Sequence, residues 1–330
     1  MTKQTSKHLT LALVLSGLAL IPSTSWTQAD PASKLSGKRP AVAAVPAASH
    51  QTKTPGSPSY TYTLLSFPGS LDTFAEGINL GATTSKIEIV GGAGEGGFSA
   101  SGSRKKAITE SYEAVNYPHS SGPQTVAAVN DSGQVVGDYD DYEHGYERSG
   151  GTFTTIDVPF PGALGTFPYG INNSGEIVGG WRDSNKDEHA FTLIGGTYAS
   201  FDYPGAGATG AFGINSAGDI VGGYNDGSGT AHGFLLSGGT YTSIDFPGAV
   251  ETSPYAINDS ADIVGLYCTT STCVSTSEGA QGFLLSQGVF TTIAIPGEPS
   301  SYAAGINNSG VVVGTYTDAA GITLAFLAIP

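Results

Sequence analysis

The sequence predicts an all-β fold: a six-bladed β-propeller of four-stranded blades, closed by pairing of its N-terminal and C-terminal strands. Three observations predict it. A motif centred on asparagine recurs at Asn79, Asn130, Asn172, Asn215, Asn258 and Asn307, at intervals of 51, 42, 43, 43 and 49 residues, and periods of this size mark arrays of supersecondary units. Each unit holds four strand-like runs separated by turn residues. The stretch from Tyr60 matches a fourth strand, whereas the stretch ending at Pro330 matches a third, so the two complete one blade.

The segments ahead of the repeats read differently. Lys3 and Lys7, the 13-residue apolar run Leu9 to Ile21 and the small residues around Ala29 predict a secretory signal peptide over residues 1–29. The run is short for a bilayer span, which needs about 20 residues, so no membrane segment is expected after cleavage. Residues 30–59 are rich in Pro, Ala, Ser and Lys and contain no aromatic residue. Such a segment buries too little apolar surface to offset the entropy of ordering and reads as a disordered linker. The folded unit is expected over residues 60–330.

Ala211 to Gly248, "AFGINSAGDIVGGYNDGSGTAHGFLLSGGTYTSIDFPG", shows the logic of a unit. "AFGIN", "IVGGY", "HGFLL" and "TYTSIDF" are strands. "SAGD", "NDGSGTA" and "SGG" connect them, because Asn and Gly accept turn backbone at low cost. Pro247 ends the last strand, since proline cannot continue a central ladder. Pro-Gly stands eleven residues before the motif Asn at Pro68, Pro161, Pro204, Pro247 and Pro296; the second unit has Pro118 twelve residues before. Both sheet faces are rich in Val, Ile and Phe, which fits blades packed on two sides. A β-solenoid is the alternative, but its coils keep shorter and stricter periods. Unit one departs from the pattern with "NLGATTSKIEIVGG" after Asn79, so its blade is expected to be distorted.

The "HAF" of His189, Ala190 and Phe191 and the core "GINNSGVVVG" from Gly305 to Gly314 resemble the bacterial extracellular HAF repeat family. The resemblance covers residues 60–330. It implies secretion and a propeller-like fold, and implies no established reaction.

Composition narrows function. Lys3 and Lys7 leave with the signal, so 11 Lys and Arg face 28 Asp and Glu, a net of −17. Phosphate backbones are held by clustered Lys and Arg, so nucleic acid is not an expected partner. The chain is expected to be secreted or extracellular, in the periplasm or at the cell surface, and monomeric.

If the Ile-Asn strand is innermost, the Pro-Gly loops and the loops before His-Ala-Phe share one face. The short, constant Asn-Ser-Gly and Ser-Gly-Gly turns share the other. Binding residues sit on variable loops held by a rigid scaffold, which assigns any site to the Pro-Gly face. Tyr169, Phe212, Tyr255 and Tyr302, near the start of the inner strands, are candidate ligand-binding residues, with core packing as the competing role. Glu76 is the one unit-specific charge immediately before the shared strand core. Asp183, Asn185 and Asp187 alternate oxygen ligands as a Ca²⁺ site does, but the Gly and distal Glu of a calcium loop are missing; the competing reading is a hairpin whose Asp closes its own turn. No other cofactor is expected. His144, His189 and His232 occupy equivalent positions and suggest either ligation or hydrogen bonding to the neighbouring loop. Cys268 and Cys273 are the only cysteines and are expected to form a disulfide.

No Gly-x-Ser-x-Gly elbow, His-Glu-x-x-His or other catalytic set is present, so no catalytic residue is named. The sequence favours a non-enzymatic binding or adhesion module for a carbohydrate, cell-wall component or protein. The alternative is a propeller hydrolase or lyase that acts on a polysaccharide through carboxylate or His residues at the channel mouth.

Overall fold

The computed structural model describes residues 60–65, 72–79, 86–93, 96–103, 111–118, 120–122, 124–140 and 143–330. The expected signal peptide and linker, and the first Pro-Gly pair at Pro68, lie outside the described residues. Six four-stranded antiparallel sheets form the blades of a β-propeller. The inner strands are Thr73–Ile78, Ala128–Val129, Gly165–Ile171, Ala208–Ile214, Glu251–Ile257 and Ser300–Ile306. In blades one to five each sheet follows chain order outward. Blade six is completed by the first strand, Thr61–Leu65, which pairs antiparallel with Thr323–Ile329, Tyr62 opposite Ala328 and Leu64 opposite Phe326. The rings of Tyr62 and Phe326 lie 5.9 Å apart. The seam therefore covers the sheet edge that an open array would leave exposed.

The repeated residues have specific packing reasons. In every blade the Gly of the second strand faces the aromatic of the third: Gly91–Phe98, Gly137–Tyr146, Gly179–Phe191, Gly222–Phe234, Gly265–Phe283 and Gly314–Phe326. In blades three to six the aromatic ring lies over the space a side chain would take. A Cβ on Gly222 would stand 2.0 Å from the Gly210 carbonyl oxygen and 2.7 Å from the Phe234 ring. These aromatics are fully or almost fully buried and supply much of the apolar area that holds each blade together. In the Pro-Gly turns, Gly162, Gly205, Gly248 and Gly297 have φ between 80 and 89°, which only glycine adopts without strain.

The motif asparagines form a circle. The Nδ2 of Asn79 donates to the backbone carbonyl of Asn130 at 2.8 Å, that of Asn130 to Asn172 at 3.0 Å, and that of Asn172 to Asn215 at 3.0 Å. Asn215 donates to Asn258 at 3.4 Å, Asn258 to Asn307 at 3.3 Å, and Asn307 back to Asn79 at 3.3 Å. Each side chain also organises its own turn: Asn172 Oδ1 accepts from the N–H groups of Ser174 and Glu176, both at 3.0 Å. The six asparagines are 2–4% exposed, so these bonds meet little competition from water.

The stretch after Asn79 on which distortion of blade one is expected lies outside the described residues, and blade two is irregular. Blade one has four full strands, with residues 80–85 outside the described set. Blade two has an inner strand of two residues, extended by a bridge between Gln124 and Tyr139 and by the Thr125 N–H to the Asp138 carbonyl at 2.9 Å.

Candidate binding site

The inner strands place one side chain per blade into an axial cavity. Register shifts between Ala75 and Gly77, Pro168 and Gly170, Ala211 and Gly213, Pro254 and Ala256, and Ala303 and Gly305 leave one residue out of each ladder. Those bulged residues are Glu76, Tyr169, Phe212, Tyr255 and Ala304, each three before the motif Asn, and Ala127 holds that position in blade two. All six line one cavity of about 130 Å³. A bulge re-aims its side chain, and here the repeat uses it to point successive residues at the axis. A dry cavity of about 150 Å³ admits benzene, so this one suits a single small ring or a comparable end group.

Three of the predicted residues form a fence around the axis. Tyr169 and Phe212 have ring centres 5.5 Å apart at 68°, and Phe212 and Tyr255 6.0 Å apart at 65°. Such angles match the rotation of about 60° that a six-fold ring imposes, so the aromatics stand around the channel instead of lying across it. Tyr302 extends the fence, 6.0 Å from Tyr255 at 76°, but it stands five residues before its Asn and packs behind the cavity wall. Phe212 and Tyr302 are buried, Tyr169 and Tyr255 half-buried. The aromatics thus serve as both wall and core.

Glu76 faces this fence. It keeps some exposure along the channel, but its Oε1 is sealed and has no hydrogen-bond partner. Burial lifts its carboxyl to about 7, because desolvation disfavours the charged form. Burial above all disfavours ionisation of the Tyr302 and Tyr255 hydroxyls, and the charge of Glu76 adds to it.

Three further acids, which the sequence places only on the acidic Pro-Gly face, are wholly or partly buried near the inner strands. Asp138 is 1% exposed, accepts from Thr125 Oγ1 at 2.6 Å through Oδ2, and leaves Oδ1 without a partner. Glu188, 6% exposed, likewise has an unpartnered Oε1; its carboxyl and the Tyr169 ring both fill the space above Gly180. Glu251 is half-buried at the start of its inner strand. Desolvation lifts each of the three to about 7, opposed at Asp138 by Thr125, at Glu188 by Arg182 and at Glu251 by Ser253. The signal for Asp138 was available: it occupies the register of Gly92, Gly180 and Gly223.

The proposed calcium ligands belong to a hairpin turn. Asp183 Oδ1 accepts from the N–H groups of Asn185 at 2.8 Å and Asp187 at 2.9 Å, and Asn185 Nδ2 donates to Asp183 Oδ2 at 3.1 Å. Asp226 makes the same turn with Ser228 and Thr230, and Asp318 with Ala320 and Ile322. Recurrence in three blades identifies a turn-closing aspartate. Among the described residues no group of three or more His, Cys, Asp or Glu converges to hold a metal ion.

The three histidines bind loop acids. The Nδ1 atoms of His144, His189 and His232 lie 3.1, 3.0 and 2.8 Å from Asp157, Asp202 and Asp245. Each ring also stacks on the aromatic ending the second strand, Tyr139, Trp181 or Tyr224. Each pair ties the start of the third strand to the end of the fourth strand of the same blade on the Pro-Gly face, away from the axial cavity. Cys268 and Cys273 form the expected disulfide, Cα–Cα 5.5 Å, which ties the end of the strand Ile263–Cys268 to the six-residue helix Ser271–Thr276. Both are buried against Tyr302, Ala304 and Leu266, so the disulfide supports the outer side of the aromatic fence.

No helix among the described residues is long and apolar enough to cross a membrane. No family model and no curated protein matches the chain. Among solved structures the chain is similar to luciferin-regenerating enzyme, 10% identical, with 78% of this chain and 92% of that one covered and a TM-score of 0.50. It is similar to virginiamycin B lyase from Staphylococcus aureus, 13% identical over 82% of this chain and 100% of the other, TM-score 0.49. It is also similar to the fungal lectin of Aleuria aurantia, a six-bladed β-propeller, 12% identical over 77% and 91%, TM-score 0.47. At these identities the likeness is one of fold, and the chain is a six-bladed β-propeller built of four-stranded blades.

Proposed function

We propose that the protein is an exported, non-enzymatic binding module of the HAF repeat type that takes a small ring or the end of a carbohydrate chain at the mouth of its axial channel. One observation supports this most: a bulge common to the inner strands points Tyr169, Phe212 and Tyr255 into the same cavity, opposite Glu76. Aromatic walls with a few polar groups are the usual make-up of small-ligand sites. The disulfide agrees with an oxidising compartment.

A glycan and polysaccharide array with the purified full chain tests the reading, with and without EDTA. Binding that disappears in Phe212→Ala while the variant stays folded supports it. Binding that survives Phe212→Ala but is lost in EDTA moves the site to a calcium ion, with Asp183, Asn185 and Asp187 as the first ligands to replace. A second reading, a polysaccharide hydrolase or lyase, draws support from the carboxyl of Glu76 lifted to about 7, suited to a general acid. Turnover of a sugar polymer that is lost in Glu76→Gln would put this reading first.

A further inference from the structure

We infer that the group received at the channel mouth is an organic ammonium, as in an amino sugar with a free amine. The inference deepens the binding-site reading above and rests on it. Glu76 lines the cavity with part of its side chain accessible there and its Oε1 sealed without a hydrogen-bond partner, and the described residues lining the cavity include no Lys, Arg or His. A buried carboxylate left without a partner is costly unless something neutralises it. No side chain of this wall does so. Tyr169, Phe212 and Tyr255 add the second element, since ammonium groups are attracted to aromatic faces and most strongly where water is excluded.

Competing ligands fit less well. A hard metal ion needs six or more oxygens, and the wall around Glu76 is mostly Gly, Ala, Val, Ile and aromatic residues. An anion would meet Glu76 with no cation to offset it, in a chain of net charge −15. A neutral sugar would bond to Glu76 through a hydroxyl but leave its charge in place. An ammonium supplies donors and charge together, and charge-assisted bonds are the stronger kind.

Calorimetry of the full chain with glucosamine, N-acetylglucosamine, glucose and tetramethylammonium separates the possibilities. The expected result is binding of both cations, with glucosamine favoured over glucose and N-acetylglucosamine by about ten-fold or more. Glu76→Gln should abolish that preference, and Tyr169→Leu should weaken tetramethylammonium while the melting curve shows each variant folded. Equal or tighter binding of the neutral sugars, sensitive to Phe212→Ala but not to Glu76→Gln, overturns the inference and leaves the binding-site reading standing. Ammonium binding indifferent to Glu76→Gln and Tyr169→Leu overturns the inference alone. Absence of binding by every probe overturns both.

Discussion

The side-chain amide of Asn307 donates to the backbone carbonyl of Asn79, 3.3 Å away and 228 residues earlier in the chain. This bond closes the asparagine circle where the last blade meets the first. The β-sheet seam of Tyr62 with Ala328 closes the same propeller at the outer edge of blade six. Closure is therefore made at two radii by unrelated interactions.

Asn307→Asp isolates the inner closure. It keeps an acceptor for the N–H groups of Ser309 and Val311 but removes the donor to Asn79. A buried carbonyl that loses its donor and faces a buried carboxylate oxygen in its place costs about 2 kcal/mol or more, so the urea midpoint should fall accordingly. Asn173→Ala, which removes an exposed bond to Asp131, should cost below about 1 kcal/mol. Equal midpoints for Asn307→Asp and the parent chain would show that the circle adds nothing to closure.

Two glycines fifteen residues apart should respond oppositely to alanine. At Gly222 a Cβ would collide with the Gly210 carbonyl and the Phe234 ring, whereas at Gly207 nothing lies within 4 Å. Gly222→Ala should lose about 3 kcal/mol or more, because neither a strand backbone nor a fully buried ring can yield. Gly207→Ala should be neutral or slightly stabilising, since it restricts the unfolded chain at no native cost. Thermal melts of the two variants side by side test the packing account of the repeat.

Stability should rise as pH falls from 7 toward 4.5. Glu76, Glu188 and Glu251 have folded-state carboxyls lifted from 4.5 to about 7, and Asp138 from 3.8 to about 7. In this window the folded state holds more protons than the unfolded one. Their stabilising contribution is thus complete below about 4.5 and is lost as pH rises through 7. Opposing it, the turn-closing carboxyl of Asp226 is pulled down to about 2 by Ser228 and Thr230, and its contribution is lost only in stronger acid. Melting temperature measured from pH 8 to pH 5 should climb, and Glu76→Gln should flatten the climb. A curve that falls over that range would contradict the burial of these acids.

Much of this architecture was legible because its signals are local. Turn glycines, Pro-Gly stops and period-two strands specify each hairpin, and the interval of the motif Asn counts the blades. The circle was not legible, because each Asn Nδ2 seeks a backbone carbonyl one whole unit away and carbonyls carry no sequence label. The sequence singles out Tyr169, Phe212 and Tyr255 by their place near the start of the inner strands and Glu76 as a charge before the shared core; that the four line one cavity follows from the bulge, which no residue type marks. Tyr302 was grouped with them by proximity, but the two-residue offset and the intervening bulge place it behind the wall. Asp183, Asn185 and Asp187 alternate as calcium ligands do. The same turn at Asp226 and Asp318, with Ser, Thr and Ala as partners, distinguishes a hairpin device from a metal loop.

The disulfide yields a prediction that links stability to the site. Cys268 and Cys273 are separated by five positions, and closing so short a loop adds about 2 kcal/mol by chain entropy. The segment it holds leans on blade six: the Gly279 N–H donates to Ser300 Oγ at 2.8 Å, and the Ser301 N–H to the Ala280 carbonyl at 2.9 Å. Ser300 and Ser301 begin the strand carrying Tyr302, whose ring meets Tyr255. Cys268→Ser with Cys273→Ser should therefore lower the melting temperature and also increase amide hydrogen exchange at Ser301 and Tyr302. Exchange in the opposite blades two and three, at Val136 and Val178, should stay unchanged. Faster exchange confined to residues 269–279 would show that the crosslink stiffens only its own loop and leaves the aromatic fence to stand by itself.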